Sequence, residues 1–555
     1  MKKIVLTGIL ISVVFLGVSC GKKPQQSEVG LTEAPCIVNI VNFIRQIEPR
    51  IAEYTDEVLY QTVVEQVKQL NQYRMPGTFL IQYDAMLNPK YQELLKNELF
   101  PGSEIGTWWE ITQPHVEAAG LQWRGRYPWD WHANVGFSTG YTPKEREILV
   151  DVYMEKFKSI FGKYPASAGS WFIDAHTLAY MYDKYHITAS CNCKDQVGTD
   201  GYTLWGGYWN QAYYPSRKNA YMPAQNEAAQ ISVPIFRMLG SDPVYQYDHD
   251  LGKPSQGVIS LEPVYTGAAG GGGVRPWVEW FFKSMSEEPY LAFNYMQAGQ
   301  ENSFTWSKMK DGLTIQIPLL DSLRKQNKVR IETLEASGRW FKEKFPVTPA
   351  TAVTALTDWR NQGNKTVWYN SRFYRVNLMW EGKSFRFRDI HLFDERLESN
   401  YLTKACPTTQ CIYTTLPVVD GFRWSAPDHK AGLRIVDEQG NQREINAPVV
   451  TELPGNVLKV VFLSLQGETF TLLFYEDRFE LACKSGKLKW ALELTTQANA
   501  SLPFQSIKSQ QIKAAFTGFE YGIECKKGRF EQAEGCVFRI LPEKNKIIID
   551  CSKRS

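Results

Sequence analysis

The chain has 555 residues, too many for one hydrophobic core, so two domains or more are expected. Its 62 Lys and Arg stand against 59 Asp and Glu, a formal charge of +3 that gives no reason to expect a nucleic-acid partner. Ten Cys include no CxxC pair with zinc spacing, so neither a structural zinc site nor any other cofactor is expected.

Met1-Lys-Lys precedes an apolar stretch from Ile4 to Val18, and Ser19-Cys20-Gly21 follows. A basic start with a short apolar middle reads as a secretory signal, shorter than the ~20 residues that span a membrane comfortably. Leu16-Gly-Val-Ser-Cys20 resembles the bacterial lipobox; the alternative is an ordinary signal peptide with a chance cysteine. The resemblance implies cleavage before Cys20, acylation of that residue and anchoring to the bacterial outer membrane. The periplasmic side is preferred, because the lysines after Cys20 lack an acidic export run. Residues 1–20 are therefore expected to be a lipoprotein signal and 21–36 a polar tether.

Val38 to Arg45 reads as a first strand with a polar tip, Arg45-Gln-Ile-Glu-Pro-Arg50. Asp56 to Tyr73 carries apolar residues at helical spacing, and Met75-Pro-Gly77 ends it. Thr78 to Asp84 and Glu104 to Glu110 are strands that finish on acids, with a helix from Tyr91 to Leu99 between them. The aromatic and charged run Trp123 to His132 is a loop over the barrel mouth. Thr142-Pro-Lys-Glu145 opens a helix to about Phe161, with Thr as cap, Pro at the first position and Glu three on.

An apolar run from Ala168 climbs to Asp174, a helix follows to Tyr185, and another strand begins at Ile187. Asp174 lies where a barrel places a catalytic carboxylate, or it caps the helix that follows. Asp195 to Ala229 is a long loop, a kind usually functional or disordered, and its aromatic load argues against disorder. Val233 to Leu239, Gly257 to Leu261 and Tyr290 to Tyr295 are further strands, with Glu262 and Glu301 beyond two of them. Met309 to Lys325 is a helix, Val329 to Leu334 a closing strand, and Glu335 to Lys344 the last helix. This alternation predicts a parallel α/β barrel over 37–345. Beyond Phe345-Pro-Val-Thr-Pro349 long helices disappear. Thr366 to Tyr369, Arg375 to Trp380, Phe385 to Phe393, Val457 to Leu465, Thr469 to Tyr475 and Val537 to Ile549 predict an antiparallel β-sandwich over 346–555. Cys406 and Cys411, and Cys525 and Cys536, are near enough in sequence to pair in an exported protein.

Gly77-Thr-Phe-Leu-Ile, Glu104-Ile-Gly106 and Pro165 to Asp174 with the exit Tyr185-His-Ile187 resemble, in that order, the polysaccharide-deacetylase and family 57 glycoside-hydrolase barrels. That resemblance implies a (β/α)7-type barrel of seven strands. The metal-binding positions of a deacetylase carry Trp108 and Thr112 here, and the first strand offers Asn42, Arg45 and Gln46. Metal-dependent deacetylation is therefore disfavoured. Trp171-Phe-Ile-Asp174-Ala is closer to the Trp-Leu-Pro-Glu motif of family 57, whose Glu is the nucleophile. The resemblance thus implies Asp174 as nucleophile or transition-state stabiliser, one carbon shorter in reach.

Glycoside cleavage needs a second carboxyl group as proton donor, a part given to Glu301 for its polar, loop-like setting. Asp84 and Glu110 complete the catalytic candidates, each of which by itself could be an ion-paired surface acid. Trp108, Trp109, Trp129, Trp131, Trp205, His132, His176, Arg217 and Glu262 are expected to hold sugar, with at least half of the tryptophans in packing roles. The function read from the sequence is a metal-free glycoside hydrolase acting on an oligo- or polysaccharide by two carboxylates. The alternatives are a non-catalytic carbohydrate-binding lipoprotein and a deacetylase with relocated ligands. The partners are a carbohydrate and, through the lipid, a membrane.

Overall fold

In the computed structural model, which describes residues 34–484 and 488–552, β1 is Cys36–Ile44, and all nine of its residues are buried. A near-continuous apolar run is what a parallel strand covered on both faces requires. Of its two buried polar residues, Asn39 and Asn42, Asn39 donates its amide to the Glu332 carbonyl and to Ser337 Oγ at 2.8 Å each. The signal segment, Cys20 and the tether up to residue 33 lie outside the described residues.

β2 (Thr78–Ile81), β3 (Glu104–Trp108), β4 (Ser167–Gly169), β5 (Ala189–Asn192), β6 (Ile235–Arg237) and β7 (Asn294–Ala298) join β1 in one sheet. The order is β7-β1-β2-β3-β4-β5-β6, and every neighbouring pair is parallel. The sheet is mixed at its edge, where Ala212–Tyr213 runs antiparallel to β6. No ladder joins β6 to β7 among the described residues. Side chains bridge that seam instead, with Phe236 against Tyr295 at 4.8 Å and Gln211 donating to Asn294 at 2.7 Å. The barrel is thus nearly closed rather than closed.

Several expected elements shift. Arg330–Glu332 is a strand, but it pairs with the start of β1 at Ile37–Asn39 and does not fill the seam. Gly257 to Leu261 is no strand; the segment makes one isolated bridge, Ser260 to Ser241. β7 begins four residues later than Tyr290. A helix at Arg275–Glu287, unanticipated in the sequence, covers part of the barrel with Trp277, Phe281 and Phe282 buried. Val537 to Ile549 divides into Phe538–Leu541 and Lys546–Asp550, around Lys544 and Asn545 in the left-handed region.

Helix boundaries follow local chemistry more closely. Asp56–Tyr73 starts at Thr55, whose side chain accepts from Val58 N–H, and ends at Arg74 in the left-handed conformation. Pro143–Phe161 has the full capping box, Thr142 with Glu145, and stops at Gly162, φ 79°.

After Lys344 the chain forms a nine-stranded and an eight-stranded sheet among the described residues, all of their pairings antiparallel. Aromatic side chains of the first meet those of the second: Phe385 on Phe462 at 5.0 Å, Tyr369 on Phe474 at 5.3 Å, Trp490 on Phe470 at 5.4 Å. This region interlocks with the barrel. Cys411–Thr414 pairs in parallel with Tyr202–Trp205 of the β5–β6 connection, and Pro35–Ser555 forms one compact unit. Cys406, Cys411, Cys525 and Cys536 are thiols, not the two disulfides their spacing allows.

Candidate active site

A cavity of about 450 Å³ opens at the C-terminal end of the barrel strands. Its lining comes from the connections after β1 (Arg45, Glu48, Arg50), β3 (Trp129, Trp131), β4 (Trp171), β5 (Asp200, Tyr202), β6 (Glu262, Tyr265) and β7 (Glu301, Ser303). Residues distant in sequence converge there because parallel strands all deliver their tips to one end.

Arg45 is the centre of its charged wall. Its backbone is locked by Asn302, whose carboxamide accepts from Arg45 N–H at 2.9 Å and donates to the Arg45 carbonyl at 2.8 Å. The guanidinium gives Nε and Nη2 to Glu110, at 2.9 and 2.6 Å, in a two-pronged ion pair. Gln82 adds a third donor to Glu110 at 2.8 Å. Nη1 turns the other way, to Ser303 Oγ at 3.1 Å and to Glu301 Oε2 at 2.9 Å. The last contact lies outside hydrogen-bond geometry, so Oε2 has no hydrogen-bond partner, while Ser303 donates to Oε1 at 2.8 Å. The face of Trp129 covers the guanidinium at 4.1 Å.

Burial dominates the acidity of Glu301. Only 3% of the residue is exposed, and its carboxyl is pushed up to about 7, with the Glu110 charge adding to the rise and Arg45 opposing it. Glu48 goes the other way; burial raises it, but hydrogen bonds from Arg50 and the Arg45 charge together hold it below the usual range. Glu262 is also raised by burial, with the Lys194 charge as the main opposing influence. Glu262 and Glu301 are joined through Gln300. Its carboxamide donates to Glu262 Oε1 at 3.0 Å and accepts from Glu301 N–H at 2.9 Å. Ser260 holds the other Glu262 oxygen at 2.6 Å. Trp129, Trp131, Trp171, Tyr54, Tyr202 and Tyr265 supply aromatic wall.

Of the expected site residues, Glu301, Glu262, Trp129 and Trp131 line this cavity. Asp174 does not. It is the N-cap of Ala175–Tyr185, accepting from Thr177 N–H at 2.9 Å, and its carboxylate also takes Ser138 Oγ, Thr177 Oγ1 and Arg146 Nη1 at 2.7, 2.7 and 2.9 Å. Arg146 in turn donates to the carbonyls of Tyr401 and Lys404, so this pair fastens the barrel to the later β region. β4 ends at Gly169, five residues before Asp174, and the capping alternative is the one the fold uses. Glu110 is fully buried behind Arg45. Asp84 lies within the short helix Tyr83–Leu87, not at a strand tip, and burial lifts its carboxyl to about 7.

The remaining candidates are elsewhere. Trp108 stacks on Phe43 at 4.1 Å, and Trp109 packs edge-on against His115 and Tyr153, both in the core. Trp205 donates to Asp420 at 2.9 Å between the barrel and the β region. His132 sits beside Asp130 at 3.4 Å, His176 bonds Glu147 at 3.2 Å, and Arg217 forms an exposed pair with Asp183 at 3.1 Å. The missed residues are Arg45, Glu48, Arg50, Trp171, Tyr202 and Tyr265. Arg45-Gln-Ile-Glu-Pro-Arg50 carried a usable signal, three charges directly after a strand that is otherwise buried.

The metal site of the resembled deacetylases does not fit here. Trp108 offers no ligand, Thr112 is fully buried, and no three His, Cys, Asp or Glu side chains gather as a metal set among the described residues.

No protein-family model matches the sequence, and neither does any curated protein. Among solved structures, a proposed glycoside hydrolase/deacetylase from Parabacteroides distasonis is similar at a TM-score of 0.51 and 13% identity, over 69% of this chain and 91% of that one. A proposed polysaccharide deacetylase from Mycobacterium smegmatis gives 0.33 and 10%, over 57% and 93%. A 4-alpha-glucanotransferase from Thermococcus litoralis gives 0.27 and 7%, over 93% and 99%. The first similarity is one of fold; the other two are too distant in shape to add to it.

Proposed function

We propose that the chain is a carbohydrate-active enzyme, a glycoside hydrolase that works with two carboxyl groups and no metal. The observation that carries the reading is Glu301: a buried carboxyl with its midpoint raised to about 7, on the wall of an aromatic cavity at the catalytic end of a barrel. A carboxyl still protonated near neutral pH can give its proton to a leaving glycosidic oxygen. Glu262, on the adjoining connection and oriented by Gln300 and Ser260, is the second carboxylate. It would face the positive charge that develops on the sugar ring, as nucleophile or as base for a water. Trp129, Trp131 and Tyr202 would stack on sugar faces. Glu262 thus takes the part first assigned to Asp174. The shared fold of the Parabacteroides distasonis protein supports the substrate class. On the sequence of residues 1–20, the enzyme is exported and held at the bacterial outer membrane through Cys20, facing the periplasm.

The test is turnover of a glycan panel by purified protein and its Glu301→Gln and Glu262→Gln variants. Each substitution is expected to lower the rate about 10²–10⁴-fold while the fold persists. Full activity in folded Glu301→Gln protein would end the proposal. One observation favours a second reading, a glycan-binding protein without turnover: the position of the family 57 nucleophile is spent on a helix cap. Glycan binding with no product formed over days would establish it.

A further inference from the structure

The charges around Arg45 do not balance. Glu48, Glu110 and Glu301 are buried around one buried guanidinium, that of Arg45, while Arg50 on Glu48 is one-third exposed and Lys308 lies elsewhere on the cavity wall, so Arg45 alone would not balance all three carboxyls if they were ionised together. A single proton lessens the imbalance, and hydrogen bonding decides where that proton goes. Glu110 accepts three hydrogen bonds, two of them from a guanidinium. Glu48 accepts two from the Arg50 side chain and one from its backbone. Glu301 accepts one, from Ser303, and its Oε2 accepts none.

We infer that Glu110 is a positioning residue for the proton on Glu301: by occupying Nε and Nη2 of Arg45 it turns the guanidinium away and leaves Glu301 with only an off-axis contact. Glu110 itself does not line the cavity. Without its negative charge, Arg45 would have Glu301 as its main counterion, and Glu301 would ionise at lower pH. The groups acting on Glu301 are Arg45 and Arg50 from the connection after β1, Glu110 from that after β3, and Ser303 on its own connection; Glu48 is paired with both arginines, and Lys308 shares the cavity wall. Tyr265, from the β6–β7 connection, feels its charge. This inference rests on the proposed role of Glu301 as acid, but its test does not need turnover.

The carboxyl of Glu301 can be titrated by carbon NMR in the full-length protein, with Glu301→Gln identifying its signal. In Glu110→Gln the Glu301 midpoint is expected to fall by one pH unit or more. Glu110→Asp, which keeps the charge but draws it back by one methylene, is expected to shift the midpoint the same way by less, and serves if the amide variant does not fold. If enzymatic turnover is found, the limb of its pH profile governed by Glu301 should move by the same amount. An unmoved Glu301 midpoint in a folded Glu110 variant overturns the inference. The expected shift in a protein that cleaves no glycan would leave the inference standing and remove the hydrolase reading instead.

Discussion

Three carboxyl groups in the barrel, those of Asp84, Glu104 and Glu301, are lifted to about 7, each chiefly by burial. They serve different ends. Glu301 opens on the cavity, whereas Glu104 is enclosed by Thr78, Ser167 and the N–H of Glu335. The consequence for stability has a definite sign. In the unfolded chain such groups lose their protons near pH 4, but in the folded protein only near 7. The folded state therefore binds more protons between those limits, and stability falls as pH rises through the window. Asp84→Asn removes one contributor, so its urea midpoint is expected to decline less than that of the wild type between pH 4 and pH 8. Parallel declines would show that Asp84 is already ionised in the fold. Hydrogen-bond partners also separate the acids that sequence position alone had grouped together: Asp174 is tied to Arg146 and three further donors.

At the scale of elements, the site depends on how β7 ends. Gly299 follows the strand at φ 94°, and a Cβ there would lie 2.2 Å from the Val41 carbonyl oxygen on β1. Backbone cannot yield as a flexible side chain can, so only glycine lets the chain turn there and present Gln300 and Glu301. Gly299→Ala is expected to cost on the order of 1–3 kcal/mol, seen as a lowered denaturation midpoint, and to reduce turnover through displacement of Glu301. Unchanged stability would contradict the close approach. Three more residues in or beside the cavity lining share this unusual backbone, Asp200 at φ 51°, Leu239 at φ 73° and Thr305 at φ 65°. Local pattern predicted the helices that carry side-chain caps, since capping chemistry at Thr55 and Thr142 is written in adjacent residues, and missed Arg275–Glu287, which has no side-chain cap. It predicted strand tips poorly. Trp171 to Asp174 continues an apolar run but has left the sheet, and nothing within the run marks that departure.

Over the whole molecule, the barrel and the β region are joined by buried charge and stacked rings. Arg375, fully buried, pairs with Asp195 of the β5–β6 connection at 2.5 Å and with Asp389 at 2.7 Å. Arg237 of β6 pairs with the same Asp195 at 2.7 Å, and Trp209 stacks on Trp368 at 3.7 Å. Removing one partner of such a network leaves buried carboxylates uncompensated. Arg375→Met is therefore expected to cost about 3–5 kcal/mol in denaturant unfolding. A loss below about 1 kcal/mol would mean that water reaches this junction and screens the charges.

The class of the fold was legible in the residues alone, because burial on both faces makes β1 apolar along most of its length, and amphipathic spacing and caps mark most of the helices around it. The sequence also singled out Glu301, Glu262 and the Trp129–Trp131 loop as residues that gather at one end. Their surroundings came from the folded chain. That Asp174 caps a helix away from the cavity, and that Glu110 lies buried against Arg45, depends on which donors reach each carboxylate. Apart from Thr177, three residues on, those donors come from segments tens of residues away, and only folding fixes their distances and alignment.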